Sequence, residues 1–158
     1  MPMSDSYQKK LSSVLPQIVD TFGNPFHIYD EKGIKDTCKK LITAFNSIDG
    51  FKEFFAVKAL PNPSILKIMQ EMGFGFDCSS TPEIHLSRQI GSYNEDIMFT
   101  SNNTSISQFE AALENGGCIL NLDDISLISK LKNIPELICF RYNPGPLRKG
   151  NIIIGNPI

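Results

Sequence analysis

Residues 75–100 read GFDCSSTPEIHLSRQIGSYNEDIMFT, and this stretch decides the architecture. Gly75 to Ser79 is a short apolar run ending in serines, the form of a buried strand. Pro82 to Ile90 follows as a helix, with proline in its first turn and Gly91 at its end. Asp96 to Thr100 is apolar again. A strand, a helix and a second strand in succession make one crossover unit, which joins its strands in parallel.

The unit repeats on both sides. Upstream, Phe26–Tyr29 is expected as a first strand and Glu31–Phe45 as a helix, with Ile34, Cys38, Leu41, Ile42 and Phe45 on one stripe. Phe54–Leu60 is a second strand, and Pro63–Met72 a helix closed by Gly73. Downstream, Ser105–Asn115 reads as a helix, with Ser105 and Gln108 at capping-box spacing and Gly116-Gly117 as its stop. Cys118–Leu122 is a fifth strand, Asp124–Lys132 a helix opened by an acidic cap, and Leu137–Tyr142 a sixth strand. Such alternation specifies α/β architecture, a parallel sheet covered by helices.

An open doubly wound sheet and a (β/α)8 barrel both satisfy that pattern. No Gly-x-Gly-x-x-Gly follows the first strand, which weakens a dinucleotide fold. Polar residues recur instead at strand ends: Lys58, then Asp77, Ser79 and Ser80, then Thr100, then Asn121 and Asp123, then Arg141. Chemistry gathered at one end of successive parallel strands favours a TIM-like barrel. About six strand–helix units are present, whereas closure needs eight strands and about 250 residues. The expectation is an incomplete barrel. Residues 1–24 form an N-terminal extension and residues 25–158 the first part of the barrel. Open sheet edges would invite self-association.

Composition excludes several classes of function. The 158 residues are 41% hydrophobic and 20% charged, which is globular. A net charge of −2 leaves no footprint for nucleic acid or an anionic membrane. No apolar run reaches membrane-spanning length, and the N-terminus lacks a signal-peptide core, so a cytoplasmic protein is expected. Cys38, Cys78, Cys118 and Cys139 show no Cys-x-x-Cys spacing, so no metal site is expected. Three of these cysteines, Cys78, Cys118 and Cys139, lie in or beside apolar runs and read as buried, reduced thiols.

The chemistry centres on residues 54–63, FFAVKALPNP. Lys58 lies at the exit of a buried strand, its stem in the core and its amine at the sheet's mouth. Partial desolvation there favours the neutral, nucleophilic amine that Schiff-base or general-base chemistry requires. The structural alternative is a lysine that snorkels to solvent.

Three runs carry a resemblance: Phe55–Pro63, Gly75–Ile84 and Arg141–Gly145. Together they resemble the barrel of the fold-type III pyridoxal phosphate decarboxylases, with diaminopimelate decarboxylase closest by its Lys-Ala-x-Pro-Asn-Pro and Arg-x-Asn-Pro-Gly runs. The resemblance implies pyridoxal 5'-phosphate as cofactor, with Lys58 as the Schiff-base lysine. It implies Asp77, Arg141, Ala56 and Ser80 as cofactor neighbours, and Glu83 at an acidic family position. Asp77 beside Lys58 would orient the amine, or alternatively cap the next helix. Glu83 would equally suit a helix N-terminus, whereas the place of Arg141 between Phe140 and Tyr142 in an apolar strand argues against its alternative, a surface salt bridge. His27 and His85 match no ligand position.

The resemblance also implies a homodimeric enzyme acting on a small amino acid, from meso-diaminopimelate to L-lysine and CO2. The rest of the barrel, a C-terminal β domain, the phosphate loop and the ring-stacking histidine are expected beyond residue 158, and the 158-residue piece alone is expected to be inactive. Ornithine, arginine or carboxynorspermidine decarboxylation is the alternative within the class. A non-catalytic binding homologue is the alternative outside it, opposed by retention of Lys58 and Asp77.

Overall fold

The computed structural model describes residues 5–142, and Asn143–Gly145, the end of the Arg141–Gly145 run, lies outside them. Five parallel strands form one sheet in sequence order: β1 (Phe54–Ala56), β2 (Gly75–Cys78), β3 (Asn94–Ser101), β4 (Cys118–Leu122) and β5 (Ile138–Phe140). Helices occupy the intervals: α2 (Glu31–Ala44) precedes β1, and α3 (Pro63–Glu71), α4 (Thr81–Gln89) and α5 (Ile106–Leu113) follow β1, β2 and β3. This is the (β/α) alternation of a TIM-like barrel, present here as part of one.

Local signals place the helix starts. Asn62 Oδ1 accepts from the backbone N–H groups of Ser64 (3.0 Å) and Ile65 (3.3 Å), with Pro63 at the first helical position of α3. Ser105 and Gln108 close a reciprocal capping box at α5, through contacts of 3.3 and 2.9 Å. Gly73, at φ +84, ends the α3 turn in a conformation that disfavours a side chain.

Register separates two sheet faces. Phe76 pairs with Ile97, Cys78 with Phe99, and Phe99 with Leu120. These residues, with Leu122, are at most 1% exposed and pack with Leu66, Ile84, Phe109 and Ala112 of the helices. The opposite face carries Ala56, Asp77, Met98, Thr100 and Asn121, all only half-buried. One side of the sheet is therefore a closed apolar core, and the other a partly open surface with polar groups at its top.

Four expectations are corrected. Phe26–Tyr29 is not a strand: among the described residues no strand pairs with it, and His27, Ile28 and Tyr29 are exposed. A strand requires a ladder partner. The second strand ends at Ala56 and passes into a 3-10 turn, Val57–Ala59, closed by Leu60 N–H on the Val57 carbonyl (3.1 Å). Pro61 and Pro63, which have no N–H to give a ladder, follow directly. Asp124–Lys132 forms a 3-10 segment, Ile125–Lys130, in place of an α-helix. Asp124 caps it as expected, through Ser126 N–H at 2.8 Å, but isoleucines and serines inside it are weak helix formers. The described sheet thus has five strands where six were expected.

Residues 1–24 hold a helix that composition did not announce, α1 (Asp5–Phe22), with Pro16 inside it and Val14, Leu15 and Phe22 exposed. All four thiols are free, with Cys38, Cys78 and Cys118 buried and Cys139 half-buried. No helix among the described residues is long and apolar enough to cross a membrane.

Candidate active site

The site is built where β1 leaves the sheet. Val57 is fully buried on the helix side and anchors the turn. Lys58, next in the chain, is exposed, and its Nζ lies 3.5 Å from Ser79 Oγ at the end of β2. The described residues do not supply the desolvation expected around this amine. Nor does Asp77 touch it: among the described residues Lys58 forms no ion pair, and Ser79 is its hydrogen-bonding neighbour.

Ser79 is itself held firmly. Its backbone N–H donates to Glu83 Oε2 (2.9 Å), while the Ser80 hydroxyl donates to Glu83 Oε1 (2.8 Å). Both carboxylate oxygens of Glu83 are thus spent at the N-terminus of α4, where negative charge is favoured. Glu83 takes the helix-terminus role, and Ser80, the N-cap residue, is turned toward it. Glu83 fixes the strand end that faces Lys58.

Asp77 is engaged sideways along the sheet. Ala56 pairs with Asp77 across β1 and β2, placing both on the open face. Asp77 Oδ1 accepts from the Thr100 hydroxyl at 3.0 Å, and Thr100 Oγ1 accepts from Asn121 Nδ2 at 3.2 Å. Asp77 therefore does not cap α4. Arg141 Nη1 meets Asp123 Oδ1 at 2.7 Å, with side chains 53% and 24% exposed: a salt bridge at the rim. His27 and His85 are exposed and outside this cluster.

Thr100, Asn121 and Asp123 were visible in the sequence as strand-end polar residues, yet no role followed from that position alone. The usable signal was the period-2 alternation of β2, β3 and β4, which puts Asp77, Thr100 and Asn121 on one face once register is known. The buried thiols behave oppositely. Burial pushes Cys78 up to about 12 and Cys118 up to about 11, so both are inert, protonated core groups. The Cys78 thiol lies 3.5 Å from Ser87 Oγ, on the helix side.

The donor set fits the aldehyde end of pyridoxal phosphate. An accessible primary amine stands beside a hydroxyl, and a carboxylate lies on the same half of the open face.

Comparison with known proteins points the same way. Protein TabA of Pseudomonas amygdali pv. tabaci is 40% identical over 144 residues, covering 91% of this chain and 34% of TabA. Diaminopimelate decarboxylase of Methanothermobacter thermautotrophicus is 33% identical over 132 residues, covering 81% of this chain and 31% of that protein. Among solved structures, ornithine decarboxylase from Entamoeba histolytica superposes with a TM-score of 0.63 at 26% identity, over 77% of this chain and 38% of that one. The chain spans about a third of the length of the curated relatives it matches. Residues 32–143 match the family model described as pyridoxal-dependent decarboxylase, pyridoxal binding domain. The chain belongs to the pyridoxal-dependent decarboxylase family, as part of its pyridoxal-binding domain.

Proposed function

We propose that this chain is the N-terminal, cofactor-binding part of an amino acid decarboxylase, with Lys58 as the amine that binds pyridoxal 5'-phosphate covalently. The observation that carries the reading is the Lys58–Ser79 contact of 3.5 Å at the C-terminal end of a parallel sheet. Active sites of (β/α) barrels lie at that end. The cofactor, when bound, supplies the electron sink that accepts the pair left by a departing carboxylate.

This chain's residues supply the setting. Ser79 orients the Lys58 amine, and Glu83 holds Ser79 in place. Ala56 and Asp77 share the open face with the site, and Asp77 offers a carboxylate to a bound group. Ser80 stands at the adjoining helix start and Arg141 at the rim, where its charge suits an anionic ligand. The substrate we assign is meso-diaminopimelate, with L-lysine and CO2 as products, in a homodimeric cytoplasmic enzyme of lysine biosynthesis. Support comes from the Lys-Ala-x-Pro-Asn-Pro run and from relatives named diaminopimelate decarboxylase.

The test uses the full-length protein incubated with pyridoxal phosphate, reduced with borohydride and digested. The expected result is a phosphopyridoxyl group on the Lys58 peptide and none in Lys58→Ala, with CO2 released from diaminopimelate. A label elsewhere, or none, overturns the Lys58 assignment. CO2 from ornithine or arginine, but not diaminopimelate, overturns the substrate.

A further inference from the structure

We propose that Thr100 and Asn121 are positioning residues that hold the Asp77 carboxylate on the open face, on the strand whose end carries the Lys58–Ser79 contact, through a hydrogen-bonded row across three strands. The inference rests on the reading of Lys58 as the cofactor-binding amine.

The direction of each hydrogen bond follows from chemistry. An ionised carboxylate can only accept, so the single Thr100 hydroxyl proton points to Asp77 Oδ1, at 3.0 Å. Thr100 Oγ1 must then accept from its other neighbour, and the only side-chain group of Asn121 able to donate is its amide nitrogen, at 3.2 Å. The row therefore has one sense, Asn121 to Thr100 to Asp77. A carboxylate held by one oxygen through a fixed donor has its torsion set. Its second oxygen has no hydrogen bond among the described residues and stays available on the open face.

Register explains why these three meet. Asp77 pairs with Met98 and Thr100 with Asn121, so the three side chains share one face at the strands' C-terminal ends. Thr100 is the bridge. It is β-branched, with little freedom at its first torsion, which makes its hydroxyl a firm donor. Ser79 lies two residues beyond Asp77 on β2's course, so the row and the Lys58 contact are attached to the same strand end.

The full-length protein and its variants are compared by three measurements: the rate at which added pyridoxal phosphate is captured by Lys58 (visible absorbance), its dissociation constant, and the pH dependence of capture. Thr100→Val keeps the shape and removes the hydroxyl. It is expected to weaken capture about tenfold, the scale of a lost hydrogen bond to a charged group. Thr100→Ser should restore capture to within about twofold, since the donor returns. In an Asp77→Asn background Thr100→Val should add nothing, because the hydroxyl would act only through the carboxylate. Its pH midpoint should move in the same direction as in Asp77→Asn.

Asn121→Asp, nearly isosteric, is the second variant. It removes the amide donor and sets two acceptors on one hydroxyl, so capture should fall at least about threefold. Capture unchanged in Thr100→Val or Asn121→Asp overturns the inference, as does an equal loss with and without Asp77. Unaltered protein that never labels at Lys58 overturns the Lys58 assignment and this inference with it. Normal labelling that is indifferent to Thr100 overturns the inference alone.

Discussion

Gly75→Ala tests how tightly β1 and β2 are fitted beneath the site. Gly75 pairs with Phe54, and a Cβ built on it lies 2.6 Å from Phe54 Cε1, 2.7 Å from Cδ1 and 3.0 Å from the Asp96 carbonyl oxygen. Ordinary carbon contacts lie near 3.5–4.0 Å, so the ring must retreat by about 1 Å. The carbonyl on β3 blocks the opposite escape. The backbone at Gly75 is not left-handed, so alanine costs nothing there and restricts the unfolded chain, a gain of about 0.4–1 kcal/mol. Overpacking costs about 1–3 kcal/mol. The expected net loss is about 1–2 kcal/mol, or a melting temperature lower by roughly 2–8 °C on the scale of a 150–250-residue domain.

Urea denaturation of the full-length protein measures that loss, and Phe54→Leu supplies the control. Removing the ring edge relieves the clash, so the double variant should be more stable than the sum of the single changes by about 1 kcal/mol. Because Gly75 precedes Asp77 by two residues on the same face, Gly75→Ala should also weaken pyridoxal phosphate binding. A Gly75→Ala protein as stable as its parent, or a double variant that is simply additive, would refute the packing argument.

Two further outcomes follow from buried polar groups. Arg88 is 8% exposed and donates to the carbonyls of Ala111 (3.2 Å), Ala112 (2.8 Å) and Gly117 (3.4 Å) around the end of α5, while its Nε has no partner among the described residues. Arg88→Ala unpairs these carbonyls and opens a cavity, so urea denaturation should show a loss of about 2–4 kcal/mol, with Arg88→Lys recovering part; a loss under about 1 kcal/mol would contradict the capping role. Cys78 and Cys118 are raised by burial to about 12 and about 11 from 9.0, so the folded state keeps protons that the unfolded chain releases. Stability from these thiols is full below about pH 9 and falls as pH rises toward 11–12, by up to about 1.4 kcal/mol per thiol between pH 9 and 10. Cys78→Ala should flatten that alkaline slope even though it lowers stability at neutral pH, and an unchanged slope would refute the assignment.

The elements that were legible in the sequence are those with local causes. Cys118–Leu122 has the expected bounds because a dense apolar run between Gly117 and Asp123 allows no other element. Ser105 with Gln108, and Asn62 with Pro63, mark helix starts because a cap is satisfied by atoms within three residues of it. Lys58 stood out because a cation at the end of an apolar run is costly unless it reaches a polar mouth. Phe26–Tyr29 misled for the converse reason: its strand-like composition could not show that no strand among the described residues pairs with it. The 3-10 turn under Lys58 was equally hidden, since it depends on where the ladder with β2 stops.

By itself, then, the sequence determined an alternating parallel α/β chain with its polar residues at the strand ends, because periodicity, capping and turn chemistry act over a few residues. Only the tertiary structure decided that Lys58 meets Ser79 and that Asp77 turns to Thr100 and Asn121. Those contacts join residues about twenty positions apart, and inter-strand register, a property of paired backbones, sets which side chains share a face.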